Sequence, residues 1–113
     1  MQIPSSEKNG VTILELQGSI LGGPEANALN EELHRLLDDG KKQIVLELSK
    51  VTLMNSSGLG MLIGGYTTLK NNGGELKLAC LGENVRKLIE ITKLHTIFTP
   101  YQTVDEAVAS FAS

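Results

Sequence analysis

The fold class that this sequence predicts is α/β: a mixed, mainly parallel sheet of four to five strands with about four helices. Three observations carry that expectation. Strand-like apolar runs alternate with stretches whose apolar residues recur at helical spacing, an Asn-Gly pair precedes the first long run, and glycine or proline marks most junctions. The chain has 113 residues, enough for one core and not for two, so residues 1–113 are read as a single domain. Hydrophobic residues at 41% and charged residues at 20% match an ordinary globular composition and speak against a disordered or fibrous chain.

The elements follow in order. Asn9-Gly10 is a two-residue hairpin signal, so a short strand over residues 2–5 is expected to pair back on the run Val11-Thr-Ile-Leu-Glu-Leu-Gln17. Pro24 suits the first position of a helix, where its missing N–H has no partner to lose. From there to about residue 38, Ala26, Leu29, Leu33, Leu36 and Leu37 form one buried stripe, and Gly40 ends the helix. Gln43-Ile-Val-Leu-Glu-Leu48 is apolar at four of six positions, as a strand covered on both faces would be, and is placed at the centre of the sheet. A second helix opens at Asn55-Ser-Ser-Gly with the stripe Leu59, Leu62, Ile63, Tyr66 and Leu69, and Gly73-Gly74 closes it. Residues 75–81 are read as a strand, 83–92 as a helix with Val85, Leu88 and Ile89 inward, and 96–99 as a short strand before Pro100. Thr103-Val-Asp-Glu106 is a capping box that starts a last helix over residues 104–112. The core is expected to hold Leu29, Leu33, Leu46, Leu48, Leu62 and Ile63.

Charge and composition remove several functions. The net charge is −3 and the ten basic residues are scattered, whereas nucleic acid demands a concentrated basic face. Aromatic residues make up 4% with no Trp, which leaves no stacking platform for single strands. No apolar run approaches a membrane span and the first ten residues lack a signal-peptide core, so membrane insertion is not expected and the cytoplasm is the expected location. Cys80 is the one cysteine and lies in an apolar strand-like run, where a buried, inert thiol is expected. Two distant histidines and that cysteine offer no metal-ligand spacing.

The densest run of hydroxyl, amide and glycine residues is Val51-Thr-Leu-Met-Asn-Ser-Ser-Gly-Leu-Gly60, where a strand hands over to a helix. Such a junction leaves helical N–H groups and the positive end of the helix dipole facing outward. Three enzyme readings fail on it. Gly58-x-Gly60 continues to Gly64, one place too late for a dinucleotide fingerprint, and the lysine of a P-loop is missing. Ser56 and Ser57 lack the flanking glycines of a hydrolase elbow, and only His34 and His95 are available as bases. No catalytic residue, metal or cofactor is therefore assigned. A simple helix cap accounts for one residue of Asn55-Ser56-Ser57-Gly58, but not for two adjacent hydroxyls together with Gly58, Gly60, Gly64 and Gly65. Glycine in a helix costs about 1 kcal/mol relative to alanine, so close backbone approach is expected there.

Leu53-Met-Asn-Ser-Ser-Gly-Leu-Gly-Met-Leu62 resembles the signature of the STAS domains, and among them of the bacterial anti-sigma factor antagonists. Gly73-Gly-Glu-Leu-Lys-Leu78 and Val85-Arg-Lys-Leu-Ile-Glu-Ile-Thr-Lys-Leu94 extend the likeness over nearly the whole chain. The resemblance implies the STAS fold and a partner-switching role rather than catalysis. In that family an anti-sigma factor serine kinase phosphorylates the first hydroxyl of the signature, which is Ser56 here; the unmodified antagonist binds the kinase, and a PP2C-type phosphatase resets the modified form. The resemblance places partner contacts at Asn55, Ser57, Gly58, Leu59, Leu21 and Gly22. It also implies that Ser56 is exposed, with Leu59 on the rim of the contact surface. Two positions depart from the pattern: Asn55 stands where the family carries an acid, and Ser19-Ile20-Leu21 lacks a second one. They motivate an alternative reading, a STAS scaffold that is not phosphorylated and serves a larger transport or sensory complex.

Overall fold

The computed structural model describes residues 3–112. The elements run β1 (Ser5–Lys8), β2 (Val11–Ile20), α1 (Pro24–Asp38), β3 (Gln43–Met54), α2 (Ser56–Asn71), β4 (Glu75–Ala79), α3 (Glu83–Ile91), a 3₁₀ turn (Leu94–Thr96), β5 (Pro100–Tyr101) and α4 (Val104–Ser110). The strands form one sheet in the order β1-β2-β3-β4-β5, with β1 antiparallel to β2 and every later pair parallel. This is the mixed, mainly parallel α/β sheet that the sequence predicts, with β3 at the centre.

Local chemistry explains the joints. Asn9 and Gly10 both take positive φ, 54° and 80°, the geometry a two-residue turn needs to match strand twist. Each parallel strand then follows its neighbour through a helix, and the handedness of such crossovers puts successive helices on one face when the sheet grows in one direction. Accordingly Leu29, Leu33 and Leu36 of α1, Leu59, Leu62 and Leu69 of α2, and Val85 and Ile89 of α3 share a core with Leu14, Leu16, Ile44, Leu46, Leu48 and Leu78. The alternate strand residues Val11, Ile13, Val45 and Ala79 face the other way and are covered by Ala107 and Val108 of α4. The strands are buried on both sides, and the period of two divides their side chains between a thick and a thin layer.

Several boundaries differ from the sequence expectation. The first strand is Ser5–Lys8 rather than 2–5, of which residue 2 lies outside the described residues. β3 does not stop near Leu48 but continues to Met54, paired to β2 through two register shifts. The strand expected over residues 96–99 is absent, because the Ile97 and Phe98 N–H groups turn back to the Leu94 carbonyl at 3.0 and 2.8 Å. That turn drops Phe98 into the core edge-on to Tyr66, ring centres 5.5 Å apart, and pairing with β4 is left to Pro100–Tyr101. Strand β4 ends at Ala79, α3 at Ile91 and α4 at Ser110, each a little short of the expected limits. Ile63 is exposed rather than in the core: the packed side of α2 is Gly58, Leu62, Gly65 and Leu69, and Ile63 lies a third of a turn away from it.

Cys80 also moves. It sits just beyond β4 with φ at 61°, half-buried, and its N–H donates to the Tyr101 carbonyl at 3.0 Å. Partial burial, and then the neighbouring Glu47 carboxylate, push its thiol pKa up, so the thiol stays protonated.

Candidate functional site

Past the level of Ala79, which pairs with Glu47, β3 continues to Met54 with only β2 beside it. At about 3.3 Å per residue this two-stranded ribbon carries the start of α2 roughly 20 Å beyond the end of β4. Asn55 makes the joint. Its backbone is extended, φ −112° and ψ −173°, and its side-chain oxygen accepts the Gly58 N–H at 2.9 Å while its carbonyl accepts that of Leu59 at 2.9 Å. Asparagine therefore caps the helix by the same bond that an aspartate would make.

Ser56 is the first residue of α2, is exposed, and its hydroxyl has no partner among the described residues. The first turn of α2 carries no acidic residue. The free helical N–H groups and the dipole thus present a positive end beside an unengaged hydroxyl.

Glycines seat this helix end. A Cβ on Gly58 would lie 2.0 Å from the carbonyl oxygen of Ile20 and 3.0 Å from Met54 Cγ, so α2 abuts the end of β2 through bare backbone. Gly22, at φ 90°, lies over Ser57, whose Cβ is 3.0 Å from where a Gly22 side chain would start. Further along, Gly65 admits Leu33 Cδ1 to 3.0 Å of its own missing Cβ, which sets the contact between α1 and α2. Gly60 and Gly64 meet nothing within 4 Å, so close approach explains two of the four helical glycines and not these.

The expected contact residues consequently separate into two groups. Asn55, Ser56, Ser57 and Leu21 are exposed. Gly22, Gly58 and Leu59 are buried; Leu59, expected on the rim, is only 5% exposed and belongs to the main core. At the fourth residue of the helix its side chain already points back under the first turn toward the sheet. Leu53 was not singled out by sequence, yet it is 51% exposed, and Leu21 is 43% exposed. Val51 and Met54 turn inward around it, a spacing of three that the register shift in the ribbon makes possible and that simple alternation would not reveal. Two large apolar side chains thus stand open to solvent on the segments that flank Ser56.

The two histidines lie elsewhere, His34 on α1 and His95 in the 3₁₀ turn, both exposed. No helix among the described residues is long and apolar enough to cross a membrane.

Comparison with known proteins bears on the family and the fold. Residues 2–107 match the model of the STAS domain. The chain is 30% identical over 111 residues to BtrV of Bordetella bronchiseptica, named provisionally as an anti-sigma factor antagonist, covering 98% of this chain and 95% of that one. An anti-sigma factor antagonist from Mycobacterium paratuberculosis superposes with a TM-score of 0.83 at 26% identity, over 99% of this chain and 94% of that one. The unphosphorylated form of the antagonist SpoIIAA gives 0.70 at 17% identity over 99% of each chain, a likeness of fold. The chain belongs to the STAS domain family.

Proposed function

We propose that this protein is an anti-sigma factor antagonist that works by partner switching. Unmodified, it binds an anti-sigma factor serine kinase and so frees the sigma factor. Phosphorylated at Ser56, it lets go until a PP2C-type phosphatase removes the phosphate. The role is one of binding in the cytoplasm, with no catalysis and no cofactor of its own.

The observation that carries this reading is the unengaged, exposed Ser56 hydroxyl at the first position of α2, at the tip of the ribbon. A phosphate there adds about −1.5 to −2 charges. Placed at a helix N-terminus it is favoured by roughly 0.3–1 kcal/mol, so the modified protein keeps its fold and the change falls on the surface. Asn55 sharpens the contrast. With no acid in the first turn, the unmodified helix start carries no negative side chain and the phosphate brings the first one. Leu21 and Leu53 supply apolar anchors beside the hydroxyl, the kind of side chain that carries affinity once a partner excludes water from it.

The absence of the acid at Asn55 also favours a second reading, a STAS scaffold bound constitutively within a transport or sensory complex. Intact-mass analysis of the protein from its native host, with and without phosphatase, separates the two. A phosphatase-sensitive mass gain mapped to Ser56 supports the switch. Its absence under conditions that activate the host's serine kinases supports the scaffold.

A further inference from the structure

A second site lies away from Ser56, at the far edge of the sheet. The connection after β4 leads to α3, on the face shared with α1 and α2, whereas the connection after β5 leads to α4 on the opposite face. Two neighbouring parallel strands whose following segments leave to opposite faces open a crevice at their carboxyl ends, and in open α/β sheets that is where small molecules bind. Here the crevice is a cavity of about 510 Å³ lined by Leu81, Ile89, Pro100 and Tyr101 with Arg86, Glu90, His95 and Gln102.

Its chemistry is specific. Leu81 and Ile89 are buried and Tyr101 is half-buried, giving an apolar wall from the strand ends and the inner side of α3. Arg86 and Glu90 stand four apart on α3, close enough to bond, yet neither forms an ion pair with a described residue, while Glu83 and Lys87 of the same helix do. Two opposite, uncommitted charges therefore face one cavity above an apolar wall. A polyanion such as a nucleotide is disfavoured by Glu90, and a purely apolar ligand would use neither charge. A zwitterion satisfies both.

We propose that this crevice binds a small zwitterion with an apolar body, an α-amino acid with an apolar side chain. Arg86 takes the carboxylate, Glu90 the ammonium, Gln102 adds an amide hydrogen bond, and the side chain lies on Leu81, Ile89 and Tyr101. The volume lies within the range of small-molecule sites, and the few polar groups around an apolar wall follow their usual pattern.

The test is an NMR titration of the full-length ¹⁵N-labelled protein near neutral pH with L-leucine and L-phenylalanine, against glycine, leucinamide and N-acetyl-leucine. Saturable shifts are expected at the amides of Arg86, Ile89, Tyr101 and Gln102, with a dissociation constant on the order of 1 mM or tighter. Glycine, leucinamide and N-acetyl-leucine each bind at least about tenfold more weakly, a loss of about 1.4 kcal/mol. Arg86→Gln removes the response to leucine; Glu90→Gln weakens leucine but not N-acetyl-leucine. Both side chains are exposed, so the spectra of these variants remain those of the folded protein. No saturable response to either apolar amino acid, shifts confined to another surface, or N-acetyl-leucine binding as tightly as leucine each overturns the assignment.

Discussion

Substituting Gly58 by alanine tests how the helix that carries Ser56 is held. The new Cβ would sit 2.0 Å from the Ile20 carbonyl oxygen and 2.8 Å from its carbon, where real contacts essentially never fall under 3.0 Å. Both obstacles are backbone, so no rotamer change relieves them, and the helix end must retreat from β2 by about 1 Å. Overpacking of this kind costs about 1–3 kcal/mol, and alanine returns at most about 1 kcal/mol of helix propensity. A 2.0 Å approach to backbone puts the cost in the upper part of that range, about 2–3 kcal/mol. The net expectation is therefore a loss of about 1–2 kcal/mol, which at roughly 4 °C per kcal/mol lowers Tm by roughly 4–8 °C. Gly64→Ala is the control. Its Cβ would meet nothing within 4 Å, so it should stabilise by about 0.5–1 kcal/mol. Thermal and urea unfolding of the two variants beside the parent protein gives the comparison. Gly58→Ala as stable as the parent, or the two variants moving together, would refute the claim that backbone contact with Ile20 seats α2.

Three further outcomes follow from the same geometry. Asn55→Ala removes the bond to the Gly58 N–H and should cost about 1 kcal/mol in urea unfolding, whereas Asn55→Asp restores an acceptor of the same shape and should lose nothing. Leu21→Ser and Leu53→Ser change exposed side chains, so stability should move by no more than about 0.5 kcal/mol, while affinity for the kinase, measured by calorimetry, falls about three- to tenfold, the worth of burying the exposed half of a leucine. The raised pKa of Cys80 means that the unfolded chain releases its thiol proton first; stability from this group is whole below the ordinary thiol range and is lost as pH rises through it. Urea unfolding from about pH 8 to about pH 10 should therefore show a decline that Cys80→Ser lessens.

Much of this architecture is written locally. The Asn9-Gly10 turn, Pro24 at the head of α1, the leucine stripe behind it and the Thr103 cap of α4 each depend on residues a few places apart, and each is found where the sequence puts it. What depends on distant partners was not legible. The outer half of β3 reads as polar loop because it has a neighbour on one side only, and its pairing is set by β2 through register shifts. Phe98 and Ile97 have strand-like side chains, but the need to bury Phe98 against Tyr66 turns that segment into a 3₁₀ bend. At the candidate site the surplus of glycines signalled close packing without saying which glycine meets what. Only the tertiary arrangement assigns Gly58 to Ile20 and leaves Gly60 and Gly64 open, and it also moves Leu59 inward and Leu53 outward.

The central claim, that a phosphate on Ser56 decides whether the partner is held, is tested most directly by calorimetric titration of the cognate anti-sigma factor kinase. The titrants are the unmodified protein, the Ser56-phosphorylated protein, Ser56→Ala and Ser56→Asp, with thermal melts run on all four. Ser56→Ala should bind as the unmodified protein does, since it loses only a free hydroxyl. Phosphorylated protein should bind about ten- to a thousandfold more weakly, as each 1.4 kcal/mol of unpaired charge buried at an interface is a tenfold loss, and Ser56→Asp should fall between them. All four should melt alike within a few degrees, because negative charge at the start of α2 is accommodated by the helix itself. Equal affinity for the phosphorylated and unmodified forms would contradict the account.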